Sequence, residues 1–200
     1  IGDFTGQVGD PTDKQAERKP VTKAQVRANA RDYRKQASKI LRFRGKNPAE
    51  IRYNADWLGK LTFAAAAELA GHFTVQQLIE RDMFQQRLKA NKPISVREFL
   101  YPLMQGYDSV AMNVDVEVGG SDQTFNMLAG RKLLKEYKDK DKFVLATPLL
   151  ADSRGVKIGK TEGNAIALGG KPSVLYGQIM ALPDEVILKA YCEREGFRRI

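Results

Sequence analysis

The sequence is poor in the groups from which many sites are built. A single cysteine, Cys192, stands in 200 residues, so no intrachain disulfide can form and no thiolate cluster can hold zinc. A reducing, cytoplasmic setting is therefore expected. The single histidine, His72, excludes any site that needs two imidazoles, and its setting in Ala-Gly-His-Phe-Thr reads as an ordinary connection after a helix. No apolar run reaches the roughly 18 residues of a membrane-spanning helix; the longest candidate is the Ala-rich stretch 61–70. There is no charged, apolar and cleavable leader pattern, and no internal repeat, low-complexity tract or heptad pattern. The chain opens Ile-Gly-Asp-Phe-Thr-Gly rather than with methionine, and is expected to be a piece of something longer.

What is present suits a folded domain. Hydrophobic residues make up 42% and charged residues 28%, proportions that exclude a wholly disordered chain. The net charge of +9 is unevenly placed. From Thr22 to Lys46 stand nine Lys or Arg against one acid, Asp32, nearly the whole surplus. Such a field favours a polyanion, with nucleic acid the first candidate.

The periodicities alternate between helix and strand. Thr22 and Gln25 form a capping box, and Val26, Ala30, Tyr33, Ala37 and Ile40 recur at helical spacing, giving a helix with a basic outer face. Residues 51–54 suit a short strand, and 56–89 are helical with an interruption at Gly71. Ser95 and Glu98 cap a further helix running to about Asp108. Val114, Val116 and Val118 alternate in a strand that Gly119 and Gly120 turn into a helix over about 121–137. Residues 143–150 suit a second strand, 152–170 form a loop rich in Gly and Lys, and the last thirty residues are helical with a break at Pro183. Strand, turn and helix in this order predict an α/β fold with a doubly wound parallel sheet. Ligands of such a sheet lie at the carboxyl ends of its strands, where the glycine turns fall.

Four constellations could carry chemistry. Gly155 to Thr161 is not a phosphate loop, because only three residues separate its glycines where four are needed. Lys157 and Lys160 beside Thr161 suit either a mobile clamp on a triphosphate or a solvated basic loop. Tyr101, Gln105 and Asp108 fall on one face of a helix that is apolar elsewhere, so this stripe either lines a cavity or meets solvent. Gly119-Gly120-Ser121-Asp122-Gln123 would let a ligand approach the backbone and offers Asp122 to ribose hydroxyls, though a plain turn has the same residues. Asp10, Lys14 and Arg18 follow a glycine loop, which also describes a capped helix start.

Taken together and in order, residues 1–18, Asn54-Ala55-Asp56-Trp57, Glu98 to Asp108, the Gly-Gly-Ser-Asp-Gln turn and Lys157-Ile158-Gly159-Lys160-Thr161 closely resemble the catalytic domain of bacterial tyrosyl-tRNA synthetases, over essentially the whole chain. The resemblance implies a Rossmann-like class I core over 1–170, with a helical insertion at about 20–100, and the start of the anticodon-binding region over 171–200. It implies that Tyr101 and Gln105 hold the α-ammonium of tyrosine with Asp10, that Asp108 accepts from the phenol, and that Gln123 lies near the carboxylate. Gly119, Gly120 and Asp122 would face ATP. Lys157, Lys160 and Thr161 match the second class I signature, which closes on the phosphates, and Lys14 and Arg18 match cations that assist pyrophosphate. ATP would be a substrate with Mg²⁺ on its triphosphate and no protein-held metal, and the partners would be tyrosine, tRNA(Tyr) and a second copy in a homodimer. The His-containing first signature is expected upstream and the anticodon-reading region downstream. Two alternatives stand beside this reading: a non-catalytic RNA-binding module on the same scaffold, and the related tryptophanyl-tRNA synthetases.

Overall fold

The computed structural model describes residues 1–12, 22–31, 33–159, 163–166 and 168–187. The chain divides into two compact units, Ile1–Thr147 and Pro148–Ile200. Among the described residues no helix is long and apolar enough to cross a membrane.

The first unit opens with a single helical turn, Thr5–Val8 (α1), and continues as helices Lys23–Ala30 (α2) and Tyr33–Ala37 (α3). The Thr22 hydroxyl accepts from Gln25 N–H at 3.3 Å, and Gln25 Oε1 accepts from Thr22 N–H at 2.9 Å, so both orphan donors of the α2 start are met as the sequence predicts. Ala55–Leu58 (α4), Phe63–Gly71 (α5), Val75–Ile79 (α6) and Asp82–Lys89 (α7) follow. Thr62 and Thr74 cap α5 and α6 through their hydroxyls, which turns one helical stretch of sequence into short, reoriented pieces. The predicted strand at 51–54 does not form. Its backbone bonds to Ile1, whose N donates to Arg52 O at 2.6 Å and whose O accepts from Asn54 N–H at 3.1 Å. One such pairing is no ladder.

Val96–Met112 (α8) and Thr124–Lys138 (α9) form the centre of this unit. Leu103 and Val110 of α8 and Leu133 and Leu134 of α9 are buried with Leu69 and Leu78 from the short helices. Two glycines let the axes approach. A Cβ on Gly106 would lie 2.9 Å from Leu133 Cδ1 and 3.1 Å from Gly130 N, and one on Gly130 would lie 2.5 Å from Ser109 Oγ. The strands Val116–Gly120 (β1) and Phe143–Thr147 (β2) are parallel, with Val116 opposite Phe143 and Gly120 opposite Thr147, and α9 is their crossover. A 3₁₀ turn at Ser121–Gln123 leads from β1 into α9. Val116, Val118, Phe143 and Leu145 share one face of the ladder, and all four are exposed. The alternation of valines thus marks a strand, but its apolar face is not covered by the described residues.

In the second unit, Ile158 N–H donates to Leu150 O at 2.7 Å and Asp152 N–H to Val156 O at 2.8 Å, closing the segment around Gly155 into a tight antiparallel turn. Gly155 takes φ +75°, which suits a residue without Cβ. Helices Pro172–Met180 (α10) and Asp184–Ile187 (α11) follow, separated at Pro183. The remainder of the helix predicted to Ile200 lies outside the described residues.

Candidate active site

The stripe on α8 lines a cavity. Tyr101, Gln105 and Asp108 meet Gln123 from the turn after β1, Thr5 of α1 and Glu117 of β1 around a space of about 510 Å³. The spacing i, i+4, i+7 places three polar groups on one face because the helix turns every 3.6 residues. Burial of the opposite faces aims that stripe inward.

Asp108 is the most perturbed group of the cavity. Trp57 Nε1–H donates to its Oδ1 at 2.7 Å, and Asn54 Nδ2 donates to its Oδ2 at 3.2 Å. Burial pushes its carboxyl up from 3.8 to about 6, with the charge of Glu117 adding to the rise, while the Trp57 and Asn54 hydrogen bonds pull the other way. Asn54 is itself fully engaged. Its Oδ1 accepts from Phe4 N–H at 2.9 Å and its Nδ2 also reaches Thr5 Oγ1 at 3.0 Å. Asn54 and Trp57 therefore hold the carboxylate from outside its own helix.

An amide chain lines the other end. Gln123 Nε2 donates to Asp10 Oδ2 at 3.0 Å and to Asp122 Oδ2 at 3.4 Å. Asn126 Nδ2, fully buried on α9, donates to Gln105 Oε1 at 3.2 Å and to Gln123 Oε1 at 3.0 Å. Asp10 also folds its own loop, accepting from Thr12 N–H at 2.9 Å and Thr12 Oγ1 at 2.6 Å. Gly119 and Gly120 end β1 at its carboxyl end, where a parallel sheet exposes its ligand crevice.

The structure thus brings together Asp10, Tyr101, Gln105, Asp108, Asp122 and Gln123, with Gly119 and Gly120 adjacent in the chain. Lys14, Arg18, Lys160 and Thr161 lie outside the described residues. Lys157 belongs to the second unit, half-buried in the turn around Gly155. Its carbonyl accepts from Asn164 Nδ2 at 3.1 Å, and Asn164 Oδ1 accepts from Gly159 N–H at 2.9 Å. The Arg154 guanidinium holds the Asp152 carboxyl down at about 2. Neither the support of Asp108 by Asn54 and Trp57 nor the buried Asn126 was legible as a role in the sequence. An Asn and a Trp one helical turn apart carry no periodic signal, and an Asn among apolar helix residues is marked only by its need for a partner once buried.

A second feature is electrostatic. Arg31, Arg34, Lys35, Arg42 and Arg44 surround a groove of about 630 Å³ built from α3 and the segment after it. The Arg34 guanidinium lies 5.4 Å from the centroid of the Phe43 ring. The nearest acid in sequence, Asp32, lies outside the described residues.

The family described as tRNA synthetases class I (W and Y) matches residues 1–196. The tyrosine–tRNA ligase of Moorella thermoacetica is 47% identical over 192 residues, covering 96% of this chain and 46% of that protein. That of Burkholderia thailandensis is 43% identical over 201 residues, covering 100% of this chain and 48% of that protein. The chain spans about half the length of the curated relatives it matches. Among solved structures, a C-terminally truncated mitochondrial tyrosyl-tRNA synthetase of Coccidioides posadasii is similar at a TM-score of 0.67 and 23% identity, over 96% of this chain and 59% of that one.

Proposed function

The chain belongs to the class I tRNA synthetases of the tryptophan and tyrosine type, and from that membership we propose that it forms most of the catalytic part of an enzyme that activates tyrosine with ATP and transfers it to tRNA(Tyr). The observation that carries the choice of tyrosine is the cavity in which Tyr101, Gln105, Asp108 and Gln123 converge, with Asp108 held between Trp57 and Asn54.

In this reading Tyr101 and Gln105 hold the α-ammonium and Asp10 balances its charge across Gln123. Asp108 accepts from the phenol hydroxyl. Gln123 orients the carboxylate, which attacks the α-phosphorus of ATP, and pyrophosphate departs. No protein nucleophile takes part, so the rate comes from positioning and from charge placed where the transition state needs it. Gly119 and Gly120 allow ATP close to the backbone and Asp122 accepts from its ribose. Lys157, Lys160 and Thr161, with Lys14 and Arg18, meet the charge that builds on the leaving pyrophosphate, and Mg²⁺ enters on the triphosphate as part of the substrate. The insertion at 20–100 carries the basic groove toward RNA phosphate, a second copy completes a homodimer, and the helical stretch from 171 begins the anticodon-binding region.

The test is amino-acid-dependent exchange of pyrophosphate into ATP by the full-length protein. Exchange with tyrosine, and none with tryptophan or phenylalanine at equal concentration, is the expected result. Exchange driven by tryptophan would reassign the cavity, and RNA binding without any exchange would leave the scaffold as a binding module.

A further inference from the structure

Behind the cavity wall lies a buried cation that the mechanism above does not use. The side chain of Lys142, the residue that leads into β2, is fully buried. Its Nζ donates to Ser109 Oγ at 2.8 Å and is ion-paired with Glu117. Ser109 Oγ in turn lies 3.2 Å from the same carboxylate. α8, β1 and the residue before β2 contribute one group each. A fourth makes room, since a Cβ on Gly130 of α9 would lie 2.6 Å from Lys142 Nζ. The cradle is built around the ammonium.

Its place in the pocket gives it a consequence for the ligand. Ser109 and Glu117 both line the cavity, and Ser109 is the neighbour of Asp108 on α8. The described lining residues include two carboxylates, Asp108 and Glu117. Two like charges facing one neutral hydroxyl would each disfavour ionisation of the other. We infer that Lys142 is a positioning residue for amino-acid recognition: by pairing with Glu117 behind the wall, it leaves Asp108 as the one uncompensated carboxylate that meets the phenol. This rests on the tyrosine reading of the cavity and deepens it.

The charged side chain acting on Asp108 is Glu117, with Lys142 behind it, while Trp57 and Asn54 supply neutral donors. Asp10 stands at the far end through Gln123. Without Lys142, the bare charge of Glu117 pushes the Asp108 carboxyl further up, on the burial that already raises it.

The experiment measures calorimetric affinity of the full-length protein for tyrosine and for phenylalanine between pH 5 and 9. Wild type should show an acidic limb with tyrosine, where Asp108 protonates, and none with phenylalanine, which offers it no hydroxyl. Lys142→Met should move that limb up by about one pH unit. Glu117→Gln, which leaves the cation without its counter-charge, should move it down by a similar amount. Lys142→Met/Glu117→Gln removes both charges and should return it near wild type. If Lys142→Met does not fold, the pair Glu117→Gln and the double variant decides: a limb lowered in the former and returned toward wild type in the latter supports the inference, and a limb equally low in both overturns it. An unmoved limb across every folded variant would make Lys142 a structural strut and overturn it. The tyrosine reading fails differently, by a wild type that binds tyrosine and phenylalanine alike with no limb.

Discussion

In the proposed reading, Asp108 trades stability for recognition. Its carboxyl is raised to about 6 in the folded chain against 3.8 for an ordinary aspartate, so the folded state binds protons more tightly than the unfolded one. Stability therefore rises as pH falls from about 6 toward 4, and above that window the ionised group costs about 3 kcal/mol. Asp108→Asn removes the titration. At pH 7 the variant should unfold at higher denaturant than wild type, with a gain no greater than that figure, and the dependence of stability on pH between 4 and 6 should flatten. Recognition should move the other way. A site built to bond a hydroxyl leaves a buried group unpaired when the hydroxyl is missing, and tyrosyl-tRNA synthetases are themselves the usual illustration, at about 10⁵ against phenylalanine. In Asp108→Asn that ratio, read from kcat/KM in pyrophosphate exchange, should fall by at least about tenfold, the cost of one hydrogen bond to a charged group being about 1.5–3 kcal/mol. A variant that is neither stabilised nor less selective would remove Asp108 from the phenol site.

The elements are tied by a second buried ion pair. Arg87 of α7 and Glu98 of α8 are both buried, joined through Nη1 to Oε2 at 2.6 Å and Nη2 to Oε1 at 2.9 Å, and Arg87 also donates to the Pro93 carbonyl. The same Glu98 carboxylate accepts from Ser95 N–H at 2.9 Å. One side chain thus starts the helix that carries Tyr101 and anchors it to the helix before. Breaking such a pair leaves a buried charge, so Glu98→Ala should destabilise by about 3–5 kcal/mol in chemical denaturation, while exchange of both partners for apolar residues should cost far less. A loss below about 1 kcal/mol would mean that the pair is solvated in solution. In the proposed reading the loop around Lys157 and Lys160 acts differently. A clamp that closes only as charge builds on pyrophosphate lowers kcat and kcat/KM together, so Lys157→Ala and Lys160→Ala should each slow exchange by roughly 10² to 10³ with KM for ATP nearly unchanged. A raised KM at constant kcat would make these lysines ground-state ligands. Sequence patterns located most of these elements, because caps such as Thr22–Gln25 and Ser95–Glu98 and the 3.6-residue stripe on α8 are local. They failed where distant chain decides. Residues 51–54 carry a strand pattern and bond to Ile1, and Glu98 looks like half of a cap, yet its second partner is eleven residues upstream. The cavity was legible as a helix face; Trp57, Asn54 and Lys142, which condition it, come from segments with no periodicity in common with that face.

At the scale of the whole molecule, the fold is the Rossmann-like α/β arrangement of class I synthetases, and the cations are unevenly balanced by acids. Most of the net +9 resides between Thr22 and Lys46. Two cations of α9 are offset, Lys132 by Glu136 at 3.6 Å and Lys135 by Asp139 at 2.9 Å, whereas Arg31, Arg34 and Arg42 gather around one groove. Paired surface charges cancel at the distance of a Debye length, about 8 Å in physiological salt, and an unbalanced cluster does not. RNA phosphate should therefore be met at the groove. Each phosphate neutralised contributes about 0.7 to 0.9 to the slope of log affinity against log salt, because counterions are released. Replacing Arg31, Arg34 and Arg42 together by glutamine should flatten the slope for tRNA binding to the full-length protein by about 2 to 3, measured by filter binding between 50 and 200 mM salt. Replacing Lys132 and Lys135 by glutamine should change it by less than about 1, since those cations already have counter-charges. The contrast between the two variants carries the argument. If both leave the slope as it was, the groove is a solvated face and RNA is held elsewhere; if both flatten it equally, binding follows total charge and the groove has no privileged part in it.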